Sequence, residues 1–124
     1  MAQDKVLEAN YKIARDTPSD IYEHIECLYT YAKQCDSIAE LGVRSVVSTW
    51  AFLKGLRERP KSPAIPKQLL CCDLYWSPGI EPVRTLCHHY GIQFQFIVGD
   101  SAEIYLPPVD MLFIDTWHVY GHLK

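Results

Sequence analysis

The chain lacks several things whose absence narrows what it can be. No apolar run approaches the roughly 20 residues a membrane helix needs, so a bilayer-spanning role is disfavoured. No broad basic field exists: the longest basic cluster, Arg57-Glu58-Arg59-Pro60-Lys61, carries its own acid, and the net charge is −3. Recognition of nucleic acid through a positive face is therefore disfavoured as well. The opening residues Met1-Ala2-Gln3-Asp4-Lys5 lack the basic-then-apolar pattern of an export signal. The five cysteines (Cys27, Cys35, Cys71, Cys72, Cys87) are odd in number and irregularly spaced, so reduced thiols in a cytoplasmic protein are expected rather than a disulfide framework. Zinc is disfavoured too, because Cys71 and Cys72 are adjacent on an expected strand and would point to opposite faces.

What remains is an ordinary globular composition, 48% hydrophobic and 22% charged over 124 residues, enough for one domain with one core. Residues 1–35 are expected to form a helical extension to that domain. Within it Val6, Leu7 and Ile13 give a weak helical rhythm. Thr17-Pro18-Ser19-Asp20 reads as a helix start, and Ile21, Ile25, Leu28 and Tyr29 predict a helix over 21–33.

From there apolar runs alternate with amphipathic ones. Strands are expected at Ser37–Leu41, Gln68–Asp73, Gln93–Val98 and Val109–Ile114, with helices at Ser45–Leu56 and Ile80–Tyr90. Trp50, Phe52 and Leu53 supply core packing. Three prolines between Pro60 and Pro66 deny that stretch both helix and ladder hydrogen bonds, which makes it a loop. Such alternation predicts an α/β fold with a parallel, Rossmann-like sheet covered on both faces, and right-handed crossovers give the strand order 3-2-1-4.

The most informative stretch is Glu40-Leu41-Gly42, where an apolar run meets an acid, a glycine and then a segment with hydroxyls in its first turn. A βα turn of this kind lets a nucleotide-like ligand approach the backbone. Each of the other strands also ends on an acid: Asp73, Asp100 (just past the strand) and Asp115. In an open α/β sheet the ligand crevice lies at the carboxyl ends of the strands, so four acids along that rim predict a site.

Four pieces in order resemble the class I S-adenosylmethionine-dependent methyltransferases. They are Glu40-Leu41-Gly42-Val43-Arg44, Asp73-Leu74, Gly99-Asp100-Ser101-Ala102 and Phe113-Ile114-Asp115-Thr116-Trp117-His118-Val119-Tyr120, spread over about residues 36–122. The likeness is nearest to the macrocin-type enzymes that methylate hydroxyls of small molecules or sugars. Arg44 stands where many of them carry a second glycine. The resemblance implies that Glu40 and Gly42 lie against the methionine part of S-adenosylmethionine, that Asp73 accepts hydrogen bonds from the ribose hydroxyls, and that Asp100, with the Ser101 backbone nearby, meets the adenine amino group. Ser101 and Asp100 could alternatively form a helix cap. Tyr75 or Trp76 could flank the adenine or pack the loop.

By the same resemblance Asp115 binds Mg²⁺ through oxygen and His118 acts as the base that deprotonates the acceptor. A full fold of this family has seven strands; this sequence carries four, lacking the C-terminal ones. The expectation is thus a truncated enzyme acting on a small-molecule substrate. The alternative is an inactive cofactor-binding or self-associating half-fold, with two copies meeting at the strand-four edge as a homo-oligomer.

Overall fold

Three of the strands begin and end where the apolar runs do. In the computed structural model, which describes residues 2–19, 21–43, 46–100, 103 and 105–115, β1 spans Ser37–Leu41, β2 Gln68–Asp73 and β3 Gln93–Val98. With β4, Met111–Ile114, they form a parallel four-stranded sheet in the order β3-β2-β1-β4. The helices are α1 (Ala2–Asp16), α2 (Ile25–Ala32), α3 (Ser48–Glu58) and α4 (Ile80–Tyr90). None of the described helices is long and apolar enough to cross a membrane.

Three starts differ from expectation, each for a local reason. The 21–33 helix begins only at Ile25, after a single 3-10 turn at Tyr22–His24. The Ser19 hydroxyl accepts the Ile21 N–H at 3.3 Å, a side-chain turn that competes with helix initiation. Pro18 therefore precedes a turn rather than opening a helix, and Asp20 lies outside the described residues. Strand β4 starts at Met111, two residues late, because Asp110 turns back to β1. Its carboxylate accepts the N–H groups of Asp36 (2.8 Å) and Ser37 (3.3 Å). Helix α3 starts at Ser48 instead of Ser45, for a reason that belongs to the site below.

The two faces of the sheet are covered by different parts of the chain. The register sets Ile38 beside Leu69 and Met111, and Leu69 beside Phe94. This face, with Cys71, Phe96 and Phe113, meets the buried residues of all four helices, among them Leu7, Tyr11, Ile25, Phe52, Leu53, Leu56, Val83 and Leu86. Ala39, Leu41, Leu70, Cys72, Leu112 and Ile114 lie on the opposite face by strand alternation. There Ala39, Leu41, Leu70 and Cys72 on β1 and β2 are buried as well, while Leu112 and Ile114 on β4 remain 46% and 56% exposed. Crossover handedness explains the asymmetry. The steps β1→β2 and β2→β3 run the same way along the sheet, so right-handed connections put α3 and α4 on one face. The return from β3 to β4 runs the other way. Its Pro107 and Val109 instead border a cavity of about 460 Å³ with Leu70, Gln93 and Gln95.

Helix α3 is the hub of the covered face. Every residue from Ser48 to Leu56 is buried. Lys54 lies between the rings of Tyr11 and Tyr29, 5.2 and 4.9 Å from their centroids, and its ammonium donates to Glu58 at 2.8 Å and to Glu8. These charged acceptors outweigh the opposing effect of burial and push its pKa up to about 12. At the other end of α3 the buried Lys67 ammonium donates to the carbonyls of Leu56 and Arg59, satisfying acceptors that the helix terminus leaves open.

Gly55 is where α2 and α3 touch. A Cβ there would come within 2.8 Å of the Ala32 carbonyl carbon and 2.9 Å of the Lys33 nitrogen, both backbone atoms that cannot move aside without displacing α2. Alanine at this position would gain about 1 kcal/mol of helix propensity but force apart two packed helices, which costs about 1–3 kcal/mol or more. Gly55→Ala is accordingly expected to lower stability by about 2 kcal/mol. Urea denaturation followed by circular dichroism checks this; an unchanged or raised midpoint would refute the packing account.

Candidate functional site

The carboxyl rim of the sheet is aligned by hydrogen bonds that extend the strand ladder one step past each strand. The Gly42 N–H donates to the Cys72 carbonyl (2.8 Å), Gly99 to Asp73 (2.9 Å) and Asp115 to Leu41 (2.8 Å). Gly42, Asp73 and Asp115 thereby come level across β1, β2 and β4, with Val98 of β3 beside Asp73 and Gly99 one residue beyond. Gly42 has φ +91°, a left-handed conformation that residues with a side chain rarely adopt, and there the chain turns sharply away from β1.

Four residues on, Val46 also has positive φ, +63°. For a β-branched residue that is a strained conformation costing roughly 1–3 kcal/mol. It also stops helical geometry from extending back to Ser45, which is why α3 begins at Ser48. Arg44, which stands where many members of the family the sequence resembles carry a second glycine, lies outside the described residues. Among the described residues of this turn, Val46 shares the positive φ of Gly42.

Because α3 starts late, its first two residues face the end of β1. The Thr49 hydroxyl donates to Glu40 Oε1 at 2.6 Å and the Ser48 hydroxyl donates to Oε2. The Cys71 thiol, on the neighbouring strand, approaches Oε1 at 3.9 Å. Glu40 is fully buried. Burial pushes its carboxyl pKa up to about 7 against the opposing pull of the two hydroxyls, with the charges of Asp115 and Asp73 adding to the rise. Among the described residues, the donors on this buried acid are thus two hydroxyls and a thiol.

The other rim acids are more open. Asp73 is half-buried and accepts the Leu74 N–H at 2.6 Å through its own Oδ1, which fixes the carboxylate beside its backbone. Asp100 is half-buried just past β3, where its carbonyl accepts the Glu103 N–H at 2.9 Å in a turn, and the Cys72 thiol reaches the Gly99 carbonyl at 3.6 Å. Asp115 is half-buried at the end of β4. After Asp73 the loop presents Leu74, Tyr75 and Trp76 largely to solvent, 56%, 79% and 44% exposed, so Tyr75 does not serve loop packing.

Glu40, Gly42, Asp73, Asp100 and Asp115 are therefore gathered on one rim. Ser101 and His118 lie outside the described residues. Among the described residues no group of three or more His, Cys, Asp and Glu is placed to hold a metal ion. The cysteines are free thiols, four of them buried. Burial raises the Cys71 pKa well above its ordinary value and that of Cys87 to about 12, which keeps both protonated and unreactive.

No protein-family model and no curated protein sequence matches the chain. Solved structures do match it in fold. The S-adenosylhomocysteine-bound methyltransferase PaMTH1 of Podospora anserina superposes with a TM-score of 0.53 at 17% identity, over 89% of this chain and 49% of that one. Cofactor-bound Rv0187 from MTB gives 0.52 at 16% identity, over 94% and 54%. A Klebsiella pneumoniae protein described as an O-methyltransferase gives 0.50 at 20% identity, over 92% and 52%. The chain thus has a Rossmann-like fold shared with methyltransferases and spans about half the length of these structures.

The buried acid has a consequence for stability. A carboxyl whose folded pKa is about 7, against about 4.3 when unfolded, binds its proton more tightly in the native state. Its contribution is complete below about pH 4 and is lost as pH rises through about 7. Glu40→Gln is expected to remove that dependence, so the stability of wild type relative to the variant should fall by about 3 kcal/mol between about pH 4 and pH 8. Urea melts of both proteins across that range test it; parallel curves would contradict it.

Proposed function

We propose that the carboxyl rim binds S-adenosylmethionine and that the chain carries the cofactor half of a methyltransferase acting on a hydroxyl of a small molecule or sugar. One observation carries the reading: a glycine turn at φ +91°, backed by a buried carboxylate, lies level with Asp73 on the neighbouring strand. Two solved structures of the same fold are cofactor-bound, one of them with S-adenosylhomocysteine, which supports the choice of ligand.

The residues fit the ligand's chemistry part by part. Gly42 leaves room beside the backbone for the methionine moiety. S-adenosylmethionine is cationic at its sulfonium and its ammonium, so a site bordered by Asp73, Asp100 and Asp115 attracts it. Asp73 offers a vicinal diol two acceptor oxygens, and such charge-assisted bonds are stronger than neutral ones. Asp100 accepts the adenine amino group, with the Ser101 backbone beside it.

When bound, S-adenosylmethionine supplies an activated methyl group. The protein's task is then to hold an acceptor oxygen in line with the sulfur–methyl bond and to take up the acceptor's proton; in this reading that proton goes to His118. Asp115 is the residue that would offer an oxygen ligand to Mg²⁺, whose chemistry there would be to polarise the acceptor oxygen.

A second reading has its own observation, the exposed Leu112 and Ile114 on and beside the edge of β4. It holds that the chain binds cofactor without turnover and pairs with a second copy through that edge. Light scattering distinguishes them: a dimer that dissociates on Leu112→Lys substitution supports pairing, and a monomer at all concentrations refutes it.

Calorimetric titration tests the main reading. Ligand at about 100 times its dissociation constant should stabilise the fold by about 2.7 kcal/mol. Asp73→Ala should weaken binding by about ten- to a hundredfold, the worth of hydrogen bonds to a charged acceptor. Absence of heat and of any melting shift at millimolar ligand would reject S-adenosylmethionine.

A further inference from the structure

Two positions near the rim carry residues that look exchanged. Val46 occupies a left-handed conformation, φ +63°, in which glycine would be unstrained. Gly79, which precedes the first residue of α4, has φ −63° and ψ −13°, values open to any residue. Its backbone does not call for glycine, but its surroundings do. A Cβ on Gly79 would lie 3.1 Å from Val46 Cγ2 and 3.5 Å from Val46 Cβ. The valine is 5% exposed and branched, so its χ1 has little freedom to retreat.

This contact joins the two loops that the rim depends on. Val46 ends the turn that starts at Gly42, its N–H donating to the Val43 carbonyl at 3.1 Å. Gly79 ends the loop that starts after Asp73, where its N–H donates to the Ser77 hydroxyl at 3.4 Å and the Ile80 N–H donates to the Ser77 carbonyl at 3.0 Å. Trp50 and Pro82 border the same space, a cavity of about 430 Å³ beneath the contact. Strain of the Val46 kind persists only where the surroundings over-determine it. Here the turn's strained end sits against the other loop's glycine, so neither loop moves alone.

We propose that Val46 and Gly79 are a positioning pair: their contact sets the separation of the Gly42 turn from the Asp73 loop and thereby the affinity for a ligand that bridges both. The inference rests on the rim being the S-adenosylmethionine site, with the methionine end on the Gly42 turn and the ribose on Asp73. A ligand held at both points gains from their fixed spacing, whereas a ligand held by the Asp73 side alone does not.

The test uses S-adenosylhomocysteine, which spans both loops, and adenosine, which reaches only one, titrated into wild type, Gly79→Ala, Val46→Ala and the double variant. Gly79→Ala is expected to weaken S-adenosylhomocysteine by about tenfold and adenosine by less than about twofold, and adding Val46→Ala should restore most of the loss. Equal weakening of both ligands, no weakening of either, or a double variant no better than Gly79→Ala overturns the pair. Should Gly79→Ala fail to fold by circular dichroism, Val46→Ala alone still decides. It removes the wedge without adding bulk and should weaken S-adenosylhomocysteine about threefold more than adenosine, whereas an equal effect on the two overturns the pair. Wild type that binds neither ligand rejects the rim reading itself and the pair with it; wild type that binds both without the expected difference among variants rejects only the pair.

Discussion

The bond between Glu40 and the first turn of α3 is the interaction on which the rest depends. A carboxylate at the end of the central strand β1 accepts from Ser48 and Thr49 inside the protein, where an unmet charge would be costly. Those two hydroxyls reach it only because α3 begins where it does. That start in turn follows from the left-handed backbone at Gly42 and Val46. Since α3 is also the helix against which α1 and α2 pack, one buried acid relates the rim of the sheet to the helical layer. The same acid holds its proton up to about neutral pH, so below that the tie is a hydrogen bond between neutral groups.

Much of the fold was legible in the sequence because its determinants are local. β1, β2, β3 and α4 run between the residues expected, each an apolar run bounded by turn chemistry, and the order 3-2-1-4 followed from crossover handedness. The misses have non-local causes. Asp110 leaves β4 because its partners, the N–H groups of Asp36 and Ser37, lie more than 70 residues earlier in the chain. Val46, with its left-handed backbone, lies close to Gly79, more than 30 residues away in the chain and outside any local window. That the described helices pack on one sheet face follows from the direction of each crossover, while Ala39, Leu41, Leu70 and Cys72 on the other face are buried too.

The site was legible to a similar depth. Strand ends are easy to find, so the alignment of Glu40, Gly42, Asp73 and Asp115 could be expected from the register alone. The enclosure of Glu40 could not, since Ser48 and Thr49 read as ordinary residues of a helix's first turn. The fold likeness to cofactor-bound structures extends over about half of each of those chains.

The pairing of a strained valine with an unforced glycine also orders the substitutions open to this chain over time. While Val46 is present, a side chain at position 79 presses on the valine methyl, which must give way by a few tenths of an ångström. While Gly79 is present, position 46 is free to become glycine, losing buried surface and gaining a relaxed backbone. The second change is the permissive one. A lineage that takes it first can afterwards fill position 79; one that tries the reverse meets a barrier at its first step.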